Sequence, residues 1–91
     1  MRIQNGTCRD VQVAYIGGGS HGWAWTFFKD LAREKSMSGI IDLYDIDRPM
    51  AEQNAVIGTR LFDRPDVAGD WTFEVSGSLK ELLEKKPDFV I

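Results

Sequence analysis

No stretch of this chain restricts its fold as much as YIGGGSHGW, residues 15–23. The glycines at 17, 19 and 22 form a G-x-G-x-x-G pattern. Immediately before it, Val11, Gln12, Val13, Ala14, Tyr15 and Ile16 are mostly apolar and β-branched, the composition of a buried strand. After it, Ala24, Phe27, Phe28 and Leu31 recur at helical spacing, with Lys29, Arg33 and Glu34 elsewhere on the cylinder. The backbone therefore passes from a buried strand into a helix through glycine, which adopts left-handed angles without strain.

The same alternation continues downstream. Residues 1–10 read as a loose arm, and residues 11–16 as the first strand. The first helix is predicted over 23–35, and 36–39 is a connector with Gly39 as its stop. Residues 40–45 form the second strand. Asp47 can cap a helix over 48–61, with Pro49 in its first turn, where proline is tolerated. Residues 64–70 are a loop and 71–75 a third strand. Ser78 and Glu81 have capping-box spacing and open a short helix that Pro87 stops. Residues 88–91 begin a fourth strand. The order β-α-β-α-β-α-β implies an α/β fold with a parallel sheet. Right-handed crossovers then favour half of a Rossmann-type doubly wound sheet, with strand order 3-2-1-4. On this reading 11–91 is a partial domain, truncated in its fourth strand.

A bare G-x-G-x-x-G is a weak signal. Here it follows a strand, opens a helix, and has Asp45 closing the next strand, 23 residues after Gly22. The dinucleotide fingerprint expects an acidic residue about 20 residues on. Each part has a physical task. Gly17 permits the sharp turn, Gly19 lets a pyrophosphate approach the backbone, and Gly22 lets the helix pack close to the sheet. The helix N-terminus offers unpaired N–H groups and partial positive charge. Gly18 loosens the turn further, and Ser20 can donate a hydroxyl to phosphate. Asp45 can accept hydrogen bonds from ribose hydroxyls and repels a 2′-phosphate, so NAD is favoured over NADP. FAD uses a similar turn, which leaves it open at this point.

Each of these residues has a plainer role beside the functional one. His21 stands at the mouth of the turn, where nucleotide contact and simple exposure are both open. A general base needs a positioned partner, and none is apparent. Arg48 reads as a solvated first-turn side chain, Asp47 as a cap, and Asp42 faces away from Asp45 if the strand is regular. Trp23 and Trp25 differ by two positions on one helix, so one of them meets something outside the core stripe. Cys8 is the lone cysteine, so no internal disulfide forms, and it reads as inert. The net charge of −3 without a basic run argues against nucleic acid. No apolar run approaches the roughly 18 residues of a membrane span, and no signal peptide is visible. A cytoplasmic protein is the expectation.

Residues 12–91 resemble glycoside hydrolase family 4, the NAD- and manganese-dependent glycosidases. The resemblance rests on VAYIGGGSHGW, DLA at 30–32, SGIIDLYDID at 38–47, NAVIG at 54–58 and PDFVI at 87–91. The GGGS turn followed by x-G-W-A, with MSG and the N-x-V-I-G run, looks most like the α-galacturonidase branch. The resemblance implies a glycosidase that holds NAD tightly and oxidises the sugar at C3. The aglycone then leaves by elimination, water adds, and the ketone is reduced again. It also implies a divalent metal, typically manganese, a galacturonide or related substrate, and a homo-oligomer when complete.

Carried over by position, only the cofactor end is present. Gly17, Gly18, Gly19, Ser20, His21, Gly22 and Asp45 are the candidate NAD-binding residues. No catalytic residue and no metal ligand is assigned, because the family's lie downstream. The expectation is thus the N-terminal NAD-binding part of a family 4 glycosidase, inactive alone. A stand-alone nucleotide-sensing module, with Trp25 and the uncovered sheet as its contact surface, is one alternative. The N-terminus of an ordinary NAD-dependent dehydrogenase is another.

Overall fold

The computed structural model describes residues 1–17, 19 and 22–91. Their elements run β1 (Arg2–Gln4), β2 (Thr7–Ile16), α1 (Gly22–Ala32), β3 (Met37–Tyr44), α2 (Arg48–Phe62), β4 (Asp70–Val75), α3 (Leu79–Glu84) and β5 (Phe89–Val90). β2, β3 and β4 pair in parallel in that order, and β5 adds in parallel to the other edge of β2. The expected strand order 3-2-1-4 is therefore present, as β4-β3-β2-β5.

The predicted arm is instead a hairpin. Asn5 and Gly6 both have positive φ, at 51° and 78°, and join β1 antiparallel to the start of β2. That is the two-residue turn whose twist suits a hairpin, and Asn-Gly is its preferred sequence. β1 occupies the edge of β2 at residues 7–9, and β5 occupies the same edge at 13–14. Cys8 thus lies within a strand, paired with Ile3 on one side and Met37 on the other.

β3 begins earlier than expected, and Gly39 belongs to it rather than to a connector. The β2–β3 register slips by one residue between Cys8 and Val11, a bulge centred on Asp10 at φ 54°. The bulge drives the Val11 backbone into Gly39, where a Cβ would stand 1.9 Å from the Val11 carbonyl oxygen. Glycine is required here by proximity alone.

Alternate strand residues face opposite layers. Val11, Val13, Tyr15, Ile41, Leu43 and Trp71 join Ala24, Phe28 and Leu31 of α1 and Ala51 of α2 in the main core. Phe28 packs edge-on against Phe73 at 4.8 Å between ring centroids. α2 lies close to β4 because Gly58 has no side chain: a Cβ would meet the Phe73 ring at 2.6 Å. α3 lies against the other face, with Leu82 buried.

The caps behave as local chemistry dictates. Asp47 accepts the Met50 N–H at 3.4 Å, and Ser78 accepts the Glu81 N–H at 3.1 Å. The Glu81 carboxylate returns to the Gly77 N–H at 3.0 Å, one residue before the cap itself. Beyond β2, β5 presents an open edge, and Phe89, Val90 and Ile91 are about half exposed. They line an apolar groove with Val13, Phe27, Leu31 and Trp71.

Candidate nucleotide-binding site

The glycine turn leaves β2 at the C-terminal edge of the parallel strands, the edge at which open α/β sheets bind ligands. Gly17 has φ 85°, which favours glycine, and its N–H donates to the Tyr44 carbonyl at 2.8 Å. The turn is thereby tied to the end of β3. Gly22 is the first residue of α1. Gly18, Ser20 and His21 lie outside the described residues.

Asp45 follows β3 directly and is half-buried. Its Oδ2 accepts the Gly19 N–H at 2.9 Å and its Oδ1 accepts the Asp47 N–H at 2.9 Å. One carboxylate therefore joins the glycine turn to the approach of α2. Each oxygen keeps lone-pair capacity for a further donor such as a sugar hydroxyl. Gly19 is buried, and a Cβ on it would fall 2.9 Å from both Asp45 Oδ2 and Met50 Cβ. The missing Cβ makes room for the carboxylate.

One expectation needs correction. Gly22 does not serve close packing of helix on sheet, since among the described residues a Cβ there would meet nothing within 4 Å. Trp25 is 38% exposed, and its Nε1 donates to Asn54 Oδ1 at 3.0 Å, with Asn54 fully buried. Trp23 is the outward tryptophan, 81% exposed. Arg48 is mainly solvated, as expected, and its Nε donates to Glu52 at 2.9 Å.

Asp42 faces away from the site, also as expected, but it is not idle. It is fully buried and bonded to Ser76 and Lys85. An acidic residue inside the apolar run IIDLY was the available signal, because a buried carboxylate requires a partner. Its partner lies 43 positions away. Among the described residues, no group of three or more His, Cys, Asp or Glu side chains is placed to hold a metal ion.

The profile of "Family 4 glycosyl hydrolase" matches residues 12–91. The chain belongs to that family. Family 4 relatives include an α-galacturonidase of Thermoanaerobacterium saccharolyticum, 50% identical over all 91 residues, and one of Lachnoclostridium phytofermentans, 48% identical over the same span. In each case the chain covers 19% of the relative's length. The crystal structure of lplD from Bacillus subtilis superposes with a TM-score of 0.79 at 39% identity, over 90% of this chain and 18% of that one. The chain thus spans about a fifth of the length of these relatives, their N-terminal part. The family match decides against an ordinary dehydrogenase.

Proposed function

We propose that this chain is the NAD-binding part of a family 4 α-galacturonidase that works by oxidation, elimination and addition. The observation that supports it most is the Asp45 carboxylate. It stands 2.9 Å from the Gly19 N–H, at the C-terminal edge of the sheet and beside the N-terminus of α1. A ribose diol can add its hydroxyls to that carboxylate, while a 2′-phosphate meets like charge.

The residues present fit such a ligand. On this reading the pyrophosphate is taken by Gly17, Gly19 and Gly22 together with Gly18, Ser20 and His21 of the same sequence motif, and the adenosine ribose by Asp45. NAD held there supplies a hydride acceptor for sugar oxidation. The chain's own residues bind and orient it: the α1 N-terminus attracts the diphosphate, and Asp45 fixes the ribose and excludes NADP. Manganese, the galacturonide and a homo-oligomeric assembly belong to the complete protein on this reading. So does cytoplasmic location; no helix among the described residues is long and apolar enough to cross a membrane.

Calorimetric titration of the 91-residue chain with NAD and with NADP tests the reading. Weak binding with NAD preferred is the expected result for a chain that spans about a fifth of its relatives' length. Preference for NADP, or no binding of either, overturns it. The chain alone is expected not to hydrolyse a galacturonide with NAD and manganese added.

A further inference from the structure

The face of the sheet opposite α1 and α2 carries a charged cluster that the glycine turn does not use. Asp42 sits in β3 between Ile41 and Leu43, fully buried. Its Oδ1 accepts the Ser76 hydroxyl at 2.8 Å, and its Oδ2 accepts Lys85 Nζ at 2.5 Å. Lys85 Nζ also donates to Ser76 Oγ at 3.2 Å and to Glu74 Oε2 at 3.1 Å. Side chains from β3, from β4 and the residue after it, and from the C-cap of α3 thus meet at one ammonium group.

Asp42 is buried and Lys85 about a third exposed, so the ammonium gives up part of its hydration to reach the carboxylate, and stability alone is a poor reason for that. Replacing a buried ion pair by apolar residues of similar volume is often neutral or stabilising. What the cluster does is fix a place. Ser76 follows β4, and its N–H donates to the Leu43 carbonyl at 3.0 Å. Gly77 comes next, and a Cβ on it would lie 3.1 Å from Arg48 Nη1. Arg48 is the first residue of α2, three positions after Asp45. The turn at 76–78 therefore stands beside the start of α2, on the same edge of the sheet as Gly19 and Asp45.

We propose that Asp42 and Lys85 are positioning residues that act through Ser76. They hold the turn at 76–78 as the second wall of the adenosine side of the crevice, facing the wall that carries Asp45. The inference rests on Asp45 as the ribose carboxylate. Gly77 and Arg48 mark where the two come near one another, with no room for a side chain on Gly77 unless Arg48 gives way.

The test uses the full 91-residue chain in two variants. Asp42→Leu combined with Lys85→Met removes both charges and leaves neither orphaned. Lys85→Arg keeps the cation. Amide hydrogen exchange is followed at Ser76 and Gly77 without ligand, and AMP and pyrophosphate affinities are read by NMR titration. In the double variant, exchange at Ser76 and Gly77 should rise about tenfold while Val13 and Ile41 hold. AMP affinity should fall about tenfold, the loss of a charged hydrogen-bond network, with pyrophosphate affinity unchanged. Lys85→Arg should keep both near the wild-type level. A double variant that matches wild type at Ser76 and Gly77 and for AMP overturns the proposal. So does one that fails to fold, because the pair is then a stability element. Wild type binding neither ligand overturns the adenosine wall together with the NAD reading, while exchange still decides whether the turn is braced.

Discussion

The Gly19 N–H points at the Asp45 carboxylate, 2.9 Å from its Oδ2, so the group assigned to the ribose also holds the glycine turn in place. Asp45→Ala should therefore fail in two respects. It removes an ionised acceptor from two backbone N–H groups, and hydrogen bonds to charged groups contribute about 1.5–3 kcal/mol each. NAD affinity should fall about tenfold or more, and the melting temperature should fall with it. NADP should gain nothing, because the turn that binds its diphosphate is loosened. Titration beside a thermal melt checks this, and tight NADP binding at an unchanged melting temperature contradicts it.

Gly19 and Gly22 belong to one motif but should respond oppositely to alanine. At Gly19 the new methyl meets Asp45 and Met50 at 2.9 Å. Overpacking of that kind costs about 1–3 kcal/mol, and NAD affinity should drop too. At Gly22 the methyl meets open space, so stability should stay within about 0.5 kcal/mol of wild type. Urea denaturation of the two variants gives the comparison.

Gly39→Ala should be worse than Gly58→Ala. The obstacle at Gly39 is the Val11 backbone, which β3 pairing holds. At Gly58 it is the Phe73 ring, which can tilt. Gly39→Ala should cost more than about 3 kcal/mol, at or above the usual range for overpacking, and Gly58→Ala about 1–3 kcal/mol. Equal losses in urea melts would show that the strand bulge relaxes.

Lys85 gives the chain an alkaline limit. Burial by itself lowers its pKa, but the hydrogen bonds it donates to Asp42 and Glu74, with their charges, outweigh that and hold the ammonium above its usual 10.5. A folded pKa raised above the unfolded one contributes stability that is fully present below 10.5 and lost as pH rises through the higher folded value. Thermal melts should show a fall above that pH that is smaller in the Asp42→Leu, Lys85→Met variant. An identical alkaline fall in both chains would remove Lys85 as its source.

Local signals carried much of the fold. The periodicities and caps gave three helices and four strands in the right order, and Asp47 and Ser78 cap where their side chains predict. The hairpin of β1 was also written locally, in Asn5-Gly6. Its strand has three exposed residues and no alternation to mark it, so the turn signal stood alone. For the candidate site, the G-x-G-x-x-G pattern and Asp45 were legible because both sit at the ends of strands that sequence delimits well.

The sequence by itself determined the alternation of strands and helices, the glycine turn with its carboxylate, and the family that both mark. These depend on residues near one another in the chain, where backbone preference and side-chain spacing act directly. Only the tertiary structure decided which glycines are crowded, which tryptophan is free to face outward, and that Asp42 answers to Lys85. Those outcomes depend on strand register and crossovers that bring distant residues within bonding distance, and no local preference encodes a distance across the sheet.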